Sequence, residues 1–453
     1  MRLVAGALLV AVPWVAAAQT VRGTVVDQGQ VPVPGVVVQL LDVREVVAAR
    51  ALTTERGEYR VQASTPGVYR LRTLRIGFRP TTTEPIQLAA GAEINRQLTV
   101  SGVAFNLDTV RVVSRNVCRI ASDSAAATFA IWEQARTALT AATLSARERS
   151  VTARTIEFDR LFDAAMRRMM HEQARAQARF QHRAWRALSA DSLRRFGYVV
   201  QDRDGSTTYY APDIETLLSP MFSEDHCFRL VDNRNLSQLG ISFEPNRTRT
   251  DVAGIRGTMW LDRRTSELRF VEYRYVNAPL HVAEGTAGGV IRFARLRNGA
   301  WVITRWEIRM PVIERRVGTV SAGLPGSRSS SVDETYVREV RVTGGQLAFV
   351  ARGADTLWAH PPVGLSGTLT DSATGRPVAA ATVSLRGTTL STVSDGRGSF
   401  LFPKLLPGDY TLLVSTSKDP DHKPYEVFVN IVDSPADVKV RVPVRAGRPE
   451  RDR

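Results

Sequence analysis

Cysteine is nearly absent from this chain of 453 residues: Cys118 and Cys227 are its two thiols. Two cysteines close at most one bridge, which excludes a disulfide-framework miniprotein. With six histidines in the whole chain, a cysteine-based structural zinc site has too few ligands to draw on. Lysine is almost as scarce. Of 60 basic residues only Lys404, Lys418, Lys423 and Lys439 are lysine, and the rest are arginines scattered along the chain. That pattern reads as a compositional bias rather than a nucleic-acid patch, so no nucleic-acid partner is expected despite the net charge of +15. Beyond the first residues there is no apolar run long enough for a transmembrane helix. The Gly-x-Ser-x-Gly elbow, P-loop, HExxH and EF-hand patterns are all missing.

What is present begins with an export signal. Met1-Arg2 is a short positive stretch, Leu3 to Val15 an apolar one, and Ala16-Ala17-Ala18 supplies the small residues a signal peptidase needs. Cleavage between Ala18 and Gln19 is expected, which places the chain outside the cytoplasm, in the periplasm or at the outer membrane or cell surface. In that oxidising setting a Cys118–Cys227 bridge is the favoured reading, closing a long loop. Two separate buried thiols are the other.

The ends of the chain repeat each other. Val21-Arg22-Gly23-Thr24-Val25-Val26-Asp27 matches Leu365-Ser366-Gly367-Thr368-Leu369-Thr370-Asp371. Each is followed by a proline, a β-rich run, a glycine turn (Thr54–Tyr59 and Ser394–Phe400) and a Pro-Gly-x-Tyr turn (Pro66–Tyr69 and Pro407–Tyr410). The alternating runs between the turns read as half-buried strands. These two segments resemble the carboxypeptidase regulatory-like family, which implies two small transthyretin-like β-sandwiches with no chemistry of their own. In the first copy Thr54-Glu55 stands where the family pattern has Asp-Gly.

The middle reads as α+β. A helix is expected over residues 123–147, with Phe129, Trp132, Ala135, Leu139 and Leu144 on one face, and a second over 159–191. From Phe196 the pattern turns to antiparallel strands, with a hairpin around Arg203-Asp204-Gly205 and a meander through Gly257–Asp262, Glu267–Tyr275, Gly289–Arg295, Trp301–Met310 and Thr335–Val342. Residues 195–345 resemble periplasmic lipoprotein-carrier-like sheets, which implies a curved sheet closed by helices around an apolar cavity. Leu107–Val113 is similar to the connector that precedes the plug of outer-membrane transporters.

The expected architecture is therefore mainly β with an α+β middle: signal peptide 1–18, sandwich 19–101, linker 102–122, middle domain 123–350, linker 351–361, sandwich 362–445 and a disordered tail 446–453. Candidate catalytic motifs are isolated. His281-Val282-Ala283-Glu284 matches the HxxE of zinc carboxypeptidases, but the later histidines, His360 and His422, fall in loops. Ser415-Thr416-Ser417-Lys418 matches SxxK without its partner motifs. No catalytic, cofactor or metal site is expected. The function implied is a non-catalytic envelope protein with a binding, adhesion or structural role, its middle domain binding a lipid or protein partner. A polysaccharide is a further candidate partner of the chain, and the alternative is an accessory or inactive relative of a secreted metallocarboxypeptidase.

Overall fold

The structure is a computed structural model that describes residues 19–100, 118, 126–146, 151–177, 185, 187–201, 206–233, 237–246, 252–278, 286–320, 330–359, 363–388, 390–405, 408–416, 423–431 and 436–443. The signal segment, most of the 102–122 linker with its connector-like stretch, and the tail lie outside them.

The N-terminal sandwich is built from β1 (Gln19–Val26), β2 (Val37–Leu41), β3 (Val47–Leu52), β4 (Glu58–Ala63), β5 (Gly67–Leu74), β6 (Thr81–Thr82), β7 (Ile86–Leu88), β8 (Glu93–Asn95) and β9 (Leu98–Thr99). One sheet runs β4-β1-β8, with β9 also on β1, and the other β3-β2-β5-β6, with β7 on β5. β4 alternates strictly, sending Tyr59, Val61 and Ala63 inward and Glu58, Arg60 and Gln62 to solvent. The inward residues meet Val21, Val25, Val38, Leu40 and Leu71 in a closed core.

The middle region follows as α1 (Ala126–Ala146), β10 (Thr152–Asp163), β11 (Met169–Gln177), α2 (Ala190–Phe196), β12 (Val199–Gln201), β13 (Thr207–Tyr209), α3 (Ile214–Leu218) and α4 (Pro220–Asp225). Then come β14 (His226–Asn233), β15 (Gln238–Pro245), β16 (Gly254–Asp262), β17 (Leu268–Val276), β18 (Gly288–Arg295), β19 (Trp301–Val320), β20 (Ser330–Arg352) and β21 (Asp355–Ala359). Nine of these strands make one antiparallel sheet in the order β11-β10-β20-β19-β18-β17-β16-β15-β14, with β21 on β20. Beyond Arg309 and Glu339, the last residues paired to β18 and β10, β19 and β20 continue paired to each other as a two-stranded ribbon. β12 and β13 pair as expected, Val199 opposite Tyr209, their turn lying outside the described residues.

The expected helix over 159–191 is not borne out among the described residues. The end of β10 and all of β11 take its first part, to Gln177, and among the described residues α2 at its end is the one helical stretch, with 178–184 and 186 lying outside them. The residues there are good helix formers, but Phe158, Arg160 and Phe162 recur at a spacing of two and are all buried. Arg160 lies 3.9 Å above the Phe158 ring and 2.7 Å from Glu172 on the neighbouring strand. Pairing of β10 along β20, from Thr152 opposite Ala351 to Asp163 opposite Glu339, outweighs helical propensity. The stretch expected as a linker at 351–361 likewise holds the end of β20 and β21.

Helix α1 lies between the sheet and the N-terminal sandwich. Ile131, Trp132, Ala135, Ala138, Leu139 and Ala142 are buried and share one core with Phe228, Ile241, Trp301 and Trp306 of the sheet and Val37 and Leu74 of the sandwich. Phe129 and Leu144 of the expected stripe are half-buried. The many alanines of α1 let both partners approach closely. Its polar residues are satisfied on the two sides. Buried Glu133 sits 2.9 Å from Arg136 and 3.5 Å from Arg72 on β5. Gln134 accepts from the Gly77 amide (2.6 Å) and donates to the Phe78 carbonyl (3.1 Å). Ser145 accepts the Trp301 amide at 2.9 Å. Away from the helix, the backbones of Gly35 and Gly299 meet directly: a Cβ on Gly35 would lie 2.4 Å from the Gly299 carbonyl oxygen, and one on Gly299 2.8 Å from the Gly35 nitrogen. Both have positive φ, 72° and 83°, so glycine is required for conformation and for space.

The C-terminal sandwich comprises β22 (Val363–Asp371), β23 (Thr382–Leu385), β24 (Ser391–Val393), β25 (Ser399–Leu405), β26 (Gly408–Ser415), β27 (Tyr425–Ile431) and β28 (Ala436–Val442). Its sheets, β25-β22-β28 and β24-β23-β26-β27, repeat the N-terminal arrangement, including the parallel pairing of first and last strands. The glycine turns coincide atom for atom. Thr54 Oγ1 accepts the Arg56 and Glu58 amides as Asp395 Oδ1 accepts those of Arg397 and Ser399. Gly57 and Gly398 then take φ of 72° and 74°. Threonine thus supplies the cap that aspartate gives the second copy. This sandwich closes its own core around Leu365, Val383, Phe400, Leu412 and Ile431. It meets the middle sheet where Phe428 packs edge-on against Phe162 of β10 at 5.0 Å.

Cys118 and Cys227 are bridged across a sequence separation of 109 residues. In chain-entropy terms such a loop stabilises by about 4–5 kcal/mol, so alkylation without reductant is expected to label no cysteine, and Cys118→Ser/Cys227→Ser to lower the denaturant midpoint strongly. Gly299→Ala is expected to cost about 2–3 kcal/mol through the seam contact. Chemical denaturation of the two variants beside the parent measures both effects.

Candidate functional site

The concave face of the sheet is where the carrier-like pattern implies an apolar cavity. In this chain α1 occupies that space. Trp132 packs 5.0 Å from Phe228, ring centre to ring centre, and Phe222 of α4 packs 5.2 Å from Phe243. His226, at the start of β14, is held between Phe222 (4.2 Å) and Phe243 (5.7 Å). Its Nδ1 lies 2.8 Å from the Phe222 carbonyl oxygen and its Nε2 3.2 Å from that of Ile255. These contacts fix the ring as a packing element beside the bridged Cys227. The pocket next to it, lined by Leu193, Tyr198, Thr216, Phe222 and His226, encloses about 40 Å³. That is room for one or two waters and not for an acyl chain.

Further along the same face, β17 contributes Tyr273 and Tyr275, whose rings lie 5.7 Å apart, and Tyr275 packs 5.4 Å from Tyr209 of β13. Tyr209 donates to the Pro311 carbonyl (3.3 Å) and Tyr275 to that of Tyr210 (3.2 Å). Burial disfavours the phenolate, pushing Tyr209 up to about 12 and holding Tyr273 and Tyr275 above the ordinary tyrosine value. Phenols so displaced stay neutral at physiological pH.

Of the residues singled out from sequence, Cys118 and Cys227 are joined, and Gln19 opens β1 with its side chain buried. Ala18, His281, Glu284, His360, His422, Ser417 and Lys418 lie outside the described residues. Ser415 ends strand β26 rather than starting a helix. Among the described residues no group of three histidine, cysteine, aspartate or glutamate side chains is placed to hold a metal ion. Sequence reasoning missed the seam between α1 and the N-terminal sandwich, whose visible signal is the charged and amide pair Glu133-Gln134 inside an alanine-rich helix.

The raised tyrosines give the cluster a pH signature. Their folded pKa values exceed the unfolded value, so their contribution to stability is intact below pH 10 and is lost as pH rises beyond it. Ultraviolet titration is expected to show Tyr209, Tyr273 and Tyr275 silent at pH 10, ionising only above pH 11 together with unfolding. Ionisation of all ten tyrosines near pH 10 with the fold intact contradicts this packing.

Comparison with known proteins gives the following. No curated protein matches the chain. Among solved structures, the Bacillus anthracis TIE protein aligns at 8% identity and a TM-score of 0.17, over 94% of this chain and 50% of its own. The present chain thus spans half the length of that protein. BcpA, the major pilin subunit of Bacillus cereus, aligns at 10% identity and a TM-score of 0.17, over 94% of this chain and 99% of its own. The major pilin SpaD from Corynebacterium diphtheriae aligns at 8% identity and 0.15, over 94% and 97%. Likeness at that level carries no argument. The family comparison does, because residues 20–101 and 364–442 match the carboxypeptidase regulatory-like domain, the same two segments that fold as sandwiches of one topology. At each end of its α+β region, the chain carries a carboxypeptidase regulatory-like domain.

Proposed function

We propose that this is an exported, non-catalytic envelope protein with a binding or adhesion role, in which the N-terminal sandwich and the middle domain form one base and the C-terminal sandwich is the presented module. The observation that carries this reading is the unequal seating of the two copies. Val37 and Leu74 of the first belong to the core of α1 and the sheet, whereas the second closes a core of its own and rests on the sheet through Phe428. A module with a private core keeps its fold while its outer face engages a partner. Leu390, Val393 and Leu401 are exposed on that module.

Export rests on the leader-like first residues, with cleavage between Ala18 and Gln19. Among the described residues no helix is long and apolar enough to cross a membrane. The net charge of +15 favours an acidic envelope partner, whether protein, lipid headgroup or polysaccharide.

The test is co-sedimentation with isolated envelopes, comparing the chain from Gln19 onward with one ending at Ala359. The full chain is expected to pellet with the envelopes and the shortened one to stay in the supernatant with its thermal unfolding otherwise unchanged. Equal pelleting of both removes the C-terminal sandwich from the binding role.

A further inference from the structure

The seam between the N-terminal sandwich and the sheet holds a cavity of about 470 Å³, well within the size range of small-ligand sites. Three arginines line it from three elements: Arg75 after β5, Arg264 in the turn between β16 and β17, and Arg295 at the end of β18. One carboxylate faces them, Glu267, and it is engaged by Arg295 at 3.1 Å. Among the described residues neither Arg75 nor Arg264 has a carboxylate at ion-pair distance. Neither cation is therefore held in an ion pair, although the Asp27 carboxylate acts on Arg75 from beyond that distance.

The walls are fixed before any ligand arrives. Gln134 of α1 grips the Gly77 amide and the Phe78 carbonyl, and Arg75 lies flat over the Phe78 ring at 4.2 Å. On the opposite wall Asp262 Oδ1 accepts the Arg264 and Thr265 amides at 3.0 and 2.9 Å. The Gly35–Gly299 contact closes the cavity from below, both glycines being part of its lining. Burial, the largest effect, and the nearby Arg295 charge work against the Arg75 cation, and Asp27 offsets them more weakly, so an arriving anion relieves a cost already present.

We propose that this cavity is an oxyanion site, binding the phosphate or carboxylate group of a small polar ligand between the guanidinium groups of Arg75 and Arg264. Arginine forks match the planar, two-oxygen face of either group. The rest of the lining, with Thr265 and Ser266 among its hydroxyls, suits the polar body such a ligand would carry and not a lipid chain. The site is independent of the presented C-terminal module.

Isothermal titration of the chain from Gln19 onward, at about 0.15 M salt to screen diffuse attraction, tests it with inorganic pyrophosphate and with citrate. Saturable one-site binding is expected for at least one probe. Pyrophosphate alone assigns a phosphate group, citrate alone a carboxylate, and both the shared oxyanion chemistry. Arg75→Gln and Arg264→Gln are each expected to weaken binding about tenfold, while Arg229→Gln/Arg397→Gln, exposed elsewhere, stays within about twofold of the parent. Arg264 is an exposed turn residue, so R264Q decides the matter even where R75Q disturbs the seam. No saturable binding of either probe, or R264Q binding as tightly as the parent, overturns the proposal.

Discussion

Burying most of helix α1 requires its buried polar groups to find partners, either within the helix or in the two bodies it touches. Glu133 finds Arg136 and Arg72, Gln134 finds the Gly77–Phe78 backbone, and Ser145 finds the Trp301 amide. An unpaired buried amide or carboxylate costs several times what a satisfied one contributes. These few bonds therefore set where the sandwich sits as firmly as the apolar contacts around Trp132 do. The loop after β5 and the apposition of Gly35 on Gly299 follow from that placement, and so does the shape of the cavity at the seam.

The two sandwiches show how one domain serves two energetic roles. Their turns and strand order coincide, yet the N-terminal copy spends the outer face of its β3-β2-β5 sheet on α1, where Val37, Leu52 and Leu74 meet the helix core. The C-terminal copy touches the middle sheet through Phe428, which packs on the cluster around Phe158, Phe162 and Val340, without joining its core to the helix. The difference lies in a handful of side chains rather than in the fold. The first copy is thereby stabilised by the middle domain, and the second depends on its own interior.

Much of this was legible in the residues. The alternation in β4 and β16–β20, the paired glycine turns and the family motifs lead directly to the two sandwiches and the meander. The Thr54 turn shows why a departure from pattern can be harmless: a hydroxyl and a carboxylate accept the same two amides. Residues 159–191 misled because arginine, alanine and methionine favour helices locally, while the partner that makes them strands, β20, lies some 180 residues away along the chain. The carrier-like cavity misled for a related reason. The meander specifies a curved sheet, but what fills its hollow is decided by α1. The glycine contact at the seam was not legible, because no local signal announces that Gly35 and Gly299 touch.

The bridge between Cys118 and Cys227 has a mechanical meaning. A pull applied to the two end modules enters at residues before 118 and leaves at residues after 227. The covalent line of force crosses the sulfur–sulfur bond and bypasses the 109-residue interval, which contains α1 and β10 to β13. At about 3.3–3.6 Å per extended residue, roughly 350 Å of contour is withheld from stretching. The helix on which the seam depends is thus carried as slack, protected from tension for as long as the bond stays oxidised.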